Sequence, residues 1–223
     1  MRRLPIYILV DTKFEVGSES FNAIKSGLST WISSLKGNSQ AIETAYISIN
    51  SLSENNYKIN DLIPLENIGS IDLIHTDSCC LGKNLSLLGE ALQREKINIK
   101  NRKQDWTPLV FVLLLNNPDD DFKKRLGLYK KLRHTTIAVL LNDKIKLDDL
   151  KYLTENILYG NNITSSDISK FFCWSEDILP FSEKVNSELV ETINLKKEEN
   201  NTFFITDFDL PPPPTSEERQ HPI

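Results

Sequence analysis

This 223-residue sequence predicts a doubly wound α/β fold, a mostly parallel sheet with helices on both faces. Three observations carry that prediction. Leu4 to Val10 (LPIYILV) and Leu109 to Leu115 (LVFVLLL) are apolar without alternation, the mark of strands covered on both faces. Strand-like and helix-like segments alternate at least five times, as a chain of βαβ units requires. Between the strands, apolar residues recur at three- and four-residue steps, the period of a helix that buries one stripe.

The first apolar run is a central strand. Phe21, Ile24, Leu28, Ile32 and Leu35 then place an amphipathic helix over Ser18 to Lys36, which Gly37 and Asn38 stop. Thr44 to Ile49 (TAYISI) reads as the second strand, and Ser70 to Ile74 (SIDLI) as the third. Leu81, Leu85, Leu88 and Leu92 mark a helix to about Lys96, with the basic 99–103 segment as its exposed exit. The run at Leu109 is a second central strand, bounded by Pro108 and by Asn116, Asn117 and Pro118. Asp119, Asp120 and Asp121 suit the positive end of a following helix, and Lys130, Lys131 and Arg133 its negative end. Thr136 to Leu141 is a buried strand, Leu147 to Leu153 a short helix, and Ile157 to Tyr159 a short edge strand. Helices over Ser166 to Trp174 and Phe181 to Leu195 complete a domain expected over residues 1–195, followed by an acidic, Phe- and Pro-rich tail over 196–223.

Composition narrows the function. A net charge of −5 gives no global basic field for nucleic acid. Lys123, Lys124, Lys130, Lys131 and Arg133 share their segment with three aspartates and lack interleaved aromatics for stacking on bases, so they read as a solvated face. Trp31, Trp106 and Trp174 are spread over different elements and read as core or rim residues rather than a ligand box. The N-terminal run ends at Asp11 without a small-residue cleavage site, and no stretch reaches the ~18 apolar residues of a membrane span. Cys79, Cys80 and Cys173 are odd in number and include an adjacent pair, which fits poorly with disulfides and well with a reduced, cytoplasmic setting.

In such sheets ligands bind beyond the carboxyl ends of the central strands. Three loops qualify, at 11–17, 76–81 and 115–121. MRRLPIYILVDT, AIETAYISI and WTPLVFVLL, at these spacings, resemble the von Willebrand factor A (VWA) domain, and within it the TerY-like, tellurium-resistance-associated branch. The resemblance covers residues 1 to about 142 and extends loosely to the LPPPP near the end.

Metal-binding members of that family use Asp-x-Ser-x-Ser after the first strand, a threonine after the third and a further aspartate after the fourth. These are oxygen ligands suited to Mg²⁺, with a coordination position left for a partner carboxylate. Here the first loop reads Asp11-Thr12-Lys13-Phe14-Glu15, so the aspartate stands but lysine and glutamate replace the serines. Cys79 aligns with the threonine, and Leu115 or Asn116 lies near the missing aspartate, and Mg²⁺ has little use for a thiol or an aliphatic chain. The expectation is a vestigial site at Asp11, Lys13, Glu15, Cys79 and Leu115, with no metal and no cofactor. In one reading the Lys13 ammonium takes the cation's place, pairing with Asp11 and Glu15; in the other, Lys13 and Glu15 face water.

Other chemistry has less support. Phosphoryl transfer from Asp11 would need a second acid at position 13 and a phosphate-binding loop. A Cys79 nucleophile would need a base, for which His75 and His134 are the available types. His75, Asp77, Cys79 and Cys80 are the one zinc-competent cluster, but adjacent cysteines make poor joint ligands. The sequence therefore points to a non-catalytic interaction module, its partner face built from Lys13, Phe14, Asp77, Asn116 and Asn117. The resemblance implies a bacterial multiprotein stress-response system, with a VWA paralogue, a protein phosphatase or a protein kinase as partner. A regulatory subunit docking through its tail is the alternative. In that tail Phe203, Phe204, Phe208, Pro211 and Pro212 are the docking candidates, either on a partner or folded back on this domain. Folding back is favoured for the Phe-rich part, because free phenylalanines would form an exposed apolar patch.

Overall fold

The computed structural model describes residues 3–13, 19–98, 105–141, 145–154, 156–160, 168, 171 and 203–205. Phe14, Glu15, the 99–103 segment, the helix expected over 181–195, Cys173, Trp174, Phe208, Pro211 and Pro212 lie outside these residues. So does the helix expected over 166–174, apart from Ile168 and Phe171.

Strand β1 (Leu4–Val10) is buried at every position. It is followed by α1 (Glu19–Leu35), the short α2 (Ser39–Thr44) and β2 (Ala45–Ser51). Then come β3 (Ile63–Pro64), α3 (Leu81–Asn98), β4 (Leu109–Leu114), β5 (Thr135–Leu140), the one-turn α4 (Leu147–Leu150), β6 (Ile157–Gly160) and β7 (Phe203–Ile205). The seven strands lie in the order β3-β2-β1-β4-β5-β6-β7, with β1, β2, β4, β5 and β6 parallel and the two outermost strands antiparallel to their neighbours. This is the mixed, mostly parallel sheet that the two apolar runs predict.

Each central strand feeds two cores because its successive side chains alternate between faces. On one face Ile6, Ile8 and Val10 join Phe111, Ile137 and Val139 under the apolar stripe of α1, from Ile24 and Leu28 to Trp31. On the other, Tyr7, Leu9, Val110, Val112 and Leu114 meet Leu85, Leu88 and Leu92 of α3 together with Phe122 and Tyr129. Phe111 sits edge-on to Trp31 at 6.1 Å and to Phe171 at 6.0 Å. At the opposite end of β1, the guanidinium of Arg3 donates to Asp105 at 2.6 Å and Glu95 at 2.9 Å and lies 5.3 Å from the centre of the Tyr46 ring.

Three expectations are corrected. Residues 70–74 form no strand. Ile71 and Leu73 are buried while Asp72 and Ile74 are exposed, so the period-2 pattern reports alternate burial of an extended segment, not ladder pairing. The place beside β2 is taken by β3, through Tyr46 with Pro64 and Ile47 with Ile63. The helix expected after Asp119 is instead two 3₁₀ turns, Phe122–Arg125 and Tyr129–Lys131: Asp120 directs its carboxylate to the Gly82 and Lys83 amides that open α3, and Asp119 to the Cys79 amide just before it. Finally, β6 is not an edge: β7 pairs along it. That strand lies beyond the boundary expected near Leu195.

Candidate functional site

The strand order reverses between β1 and β4, since β2 and β3 extend to one side and β5, β6 and β7 to the other. At such a switch point the following loops part, leaving a crevice at the strands' carboxyl ends. Asp11 is the first residue beyond β1 at this point, and Leu115 the first beyond β4. The Asp11 amide still donates to the Leu113 carbonyl at 2.8 Å, so the ladder holds the residue in place and directs its side chain into the crevice.

The Asp11 side chain is wholly buried. Its Oδ1 accepts the Lys13 amide at 2.9 Å. Its Oδ2 accepts three donors: the amides of Leu115 at 3.1 Å and Asn116 at 2.7 Å, and Asn116 Nδ2 at 3.0 Å. A buried carboxylate needs compensation for lost hydration, and these four N–H groups supply it. The same donors crowd the lone pairs that a metal would need, and among the described residues no three His, Cys, Asp or Glu side chains converge as a cation cage.

Lys13 does not turn inward to Asp11. Its ammonium donates to Asp119 Oδ1 at 2.7 Å, in a pair whose side chains are each more than a third exposed. That hydrogen bond raises the Lys13 ammonium above its ordinary value. Burial alone would raise the Asp119 carboxyl, but the bonds from Lys13 and from the Cys79 amide, at 2.7 Å, outweigh it and hold the group below the usual carboxylate range. Asp119 therefore joins the first loop to the second.

Cys79 is fully buried, and its thiol is pushed far up, first by burial and then by the negative charges of Asp11 and Asp119. Only the thiolate is an effective nucleophile, so this environment suppresses the reactivity that catalysis would require. Cys80 is partly exposed and also raised, mainly by burial.

The loops are tied elsewhere as well. The Thr76 hydroxyl spends its single proton on the Ser78 carbonyl at 3.0 Å, so across the 3.0 Å contact between the two threonine hydroxyls Thr12 is the donor. Asn116 Nδ2 also donates to the Lys13 carbonyl at 2.7 Å. Asp120 caps α3, its two oxygens accepting the Gly82 amide at 3.0 Å and the Lys83 amide at 2.9 Å. Gly82 has to be glycine there: a Cβ would stand 2.5 Å from the Phe122 Cα.

Of the candidates named from sequence, the structure brings Asp11, Lys13, Cys79, Leu115 and Asn116 together. Leu115 contributes its backbone amide, since its side chain belongs to the core. Asp77 and Asn117 are exposed on the second and third loops, and Asn117 Oδ1 accepts the Lys146 amide at 2.9 Å. Phe203 and Phe204 lie in β7, at the far edge of the sheet. Sequence reasoning missed Thr12, Thr76, Asp119 and Asp120. Three consecutive acids in the loop after β4 were the available signal, and Asp120 among them serves α3 rather than a helix of its own.

No protein-family model matches the sequence, and no curated protein matches it. Solved structures do resemble the fold. Proximal thread matrix protein 1 from the mussel byssus superposes with a TM-score of 0.58 at 10% identity, over 79% of this chain and 48% of that one. The ArnB paralogue VWA2 from Sulfolobus acidocaldarius gives 0.52 at 15% identity, over 78% of this chain and 45% of that one. The chain thus spans about half the length of the solved chains it resembles. The superposition on VWA2, together with the mostly parallel sheet and the helices on both faces, identifies the fold as that of a VWA domain.

Proposed function

We propose that this chain is a non-catalytic, VWA-type protein-interaction module in which the family's metal position has been given over to hydrogen bonds. The observation that carries the reading is the Asp11 carboxylate, buried and already accepting four N–H donors, with an ammonium rather than a hydroxyl two residues on. Mg²⁺ demands near-octahedral oxygen ligands, and the thiol at Cys79 and the amides around Asp11 do not fit it. The inert thiol speaks against a Cys79-dependent enzyme on the same ground.

The face that remains for partners is the end of the sheet bearing Lys13, Asp77, Asn116, Asn117 and Asp119. It is polar, carries both signs of charge, and is held by a network joining three loops, which favours recognition with little reordering on binding. The setting we propose is a bacterial, TerY-like stress-response system answering tellurite, chemical or phage stress in the cytoplasm, with a VWA paralogue, a protein phosphatase or a protein kinase as partner. Among the described residues no helix is long and apolar enough to cross a membrane.

Calorimetry of the purified chain with Mg²⁺ and Mn²⁺ tests the first half, with no saturable binding expected; stoichiometric binding lost in Asp11→Asn would overturn the metal-free reading. Affinity capture from the native host, with wild-type and Lys13→Glu chains as bait, tests the second. The charge reversal is expected to lose the specific partner while the domain stays folded, and undiminished capture would remove this face as the interface.

A further inference from the structure

The sheet ends in an arrangement that its own chain connectivity does not require. Strand β6 is the last of the parallel series, and β7, separated from it by about forty residues of sequence, returns antiparallel to cover it. The pairing comprises Leu158 with Ile205, Tyr159 with Phe204 and Gly160 with Phe203. By contrast, β1 pairs with β4 over five residues and β4 with β5 over six.

Three properties make this cover a weak joint, although its three pairs equal those of β5 with β6 and exceed the two of β2 with β3. The ladder is short, so few main-chain hydrogen bonds hold it. Closing a connection of this length costs chain entropy that so short a ladder recovers poorly. The outer strand also has only one neighbour within the sheet, whereas the inner strands have two.

The β6 side of the joint is well built. Ile157 and Leu158 are buried, and β6 continues the parallel register of β5 through Ala138 with Ile157, Val139 with Leu158 and Leu140 with Tyr159. It is therefore a preformed template of main-chain donors and acceptors that remains when β7 leaves, and an uncovered edge of that kind captures extended peptide. The occupant it takes is also defined: the cis segment is antiparallel, and its sequence NTFFITDF is rich in aromatic and β-branched residues that favour strands. Pro211 follows six residues after Ile205, and since proline lacks an amide donor the ladder cannot extend into that run.

We propose that the β6 edge is a strand-acceptor site, filled in cis by Phe203–Ile205, whose occupant is released locally and exchanges with an extended peptide of the same sequence. The site lies at a different place from the Asp11 crevice and stands independently of the function proposed there.

Hydrogen exchange on the full chain tests it. Neighbouring amides in a strand point to opposite sides, and since the Ala138 amide donates to the Asn156 carbonyl, the Leu158 and Gly160 amides face β5 and the Tyr159 amide faces β7. The Tyr159 amide is expected to exchange at least 100-fold faster than those of Val110–Leu114. In a Phe204→Pro, Ile205→Pro double variant, protection at Tyr159 should fall at least tenfold further while β4 is unchanged. A synthetic peptide spanning residues 201–208 should then restore protection in the variant, and a scrambled peptide should not. If the prolines destabilise β4 as well, Phe204→Gly, which retains every amide, should speed exchange at Tyr159 at least threefold. The proposal is overturned if Tyr159 is as protected as β4 in the wild type, if the substitutions leave it unchanged, or if the peptide restores nothing. Labelled peptide should also bind the double variant at least tenfold more tightly than the wild type, where β7 competes; equal affinities would equally exclude the exchange.

Discussion

At the residue scale the molecule turns on the buried carboxylate at the head of the switch-point crevice. Asp11 accepts four N–H donors at 2.7 to 3.1 Å and has no solvent exposure. Replacing it by Asn substitutes a donor for an acceptor opposite groups that are themselves donors, so at least one amide of Leu115, Asn116 or Lys13 loses its partner. Stranding a buried hydrogen-bonding group beside a former charge costs about 2–4 kcal/mol, to be read as a lower urea midpoint at unchanged slope. Cys79 gives a second prediction. In the folded chain iodoacetamide should label Cys80 well before Cys79, followed site by site by mass spectrometry, because burial and two acids keep the Cys79 thiol protonated. The sign of the linked pH effect follows. A folded-state thiol raised above its unfolded value contributes stability that is complete below the ordinary thiol range and declines as pH rises through and beyond it. Equilibrium unfolding at pH 7 and pH 9.5 should therefore show the wild type losing more stability than Cys79→Ala. Asp11 and Lys13 were legible because they stand in the break after a buried strand, and Cys79 because it stands just before the helix that opens at Leu81. The partner of Lys13 was not, because Asp119 is distant in sequence and nothing local links the two.

At the element scale, α3 opens where three loops meet, and the third loop supplies its cap. The acidic run after β4 suits a helix N-terminus, but not the one expected to follow it. What the pattern could not say is whose. Asp120 binds the Gly82 and Lys83 amides of α3, and the stretch that follows it winds only into 3₁₀ turns. Asp120→Ala should cost about 1 kcal/mol, the usual worth of a cap, seen as a loss of thermal stability with fold retained. In Gly82→Ala the added methyl meets backbone rather than a flexible side-chain end, so about 1–3 kcal/mol is expected from the forced shift of the Phe122 turn. Segment 70–74 makes the complementary point. Burial alternating every second residue is common to strands and to extended segments pressed on a core, and only the presence of β3 beside β2 distinguishes them.

For the whole molecule, the two cores meet through the central strands, and in one of them Phe111 sits edge-on to both Trp31 of α1 and Phe171 beyond the last parallel strand. Phe111→Ala should cost about 3–5 kcal/mol, and should lower the unfolding midpoint seen by far-ultraviolet dichroism and by tryptophan fluorescence together, because the side chain joins layers rather than lying within one. By itself the sequence determined the buried strands at Leu4 and Leu109, the apolar stripes of α1 and α3 and the doubly wound class. Each of those follows from composition and period over a few consecutive residues, which the chain fixes locally. Tertiary structure alone decided that Lys13 pairs with Asp119 rather than Asp11, that the aspartates after β4 serve α3, that β3 and not 70–74 borders β2, and that Phe203–Ile205 closes the far edge. These are pairings between groups far apart along the chain, and a donor or a sheet edge takes whichever compatible partner the packed fold brings within reach.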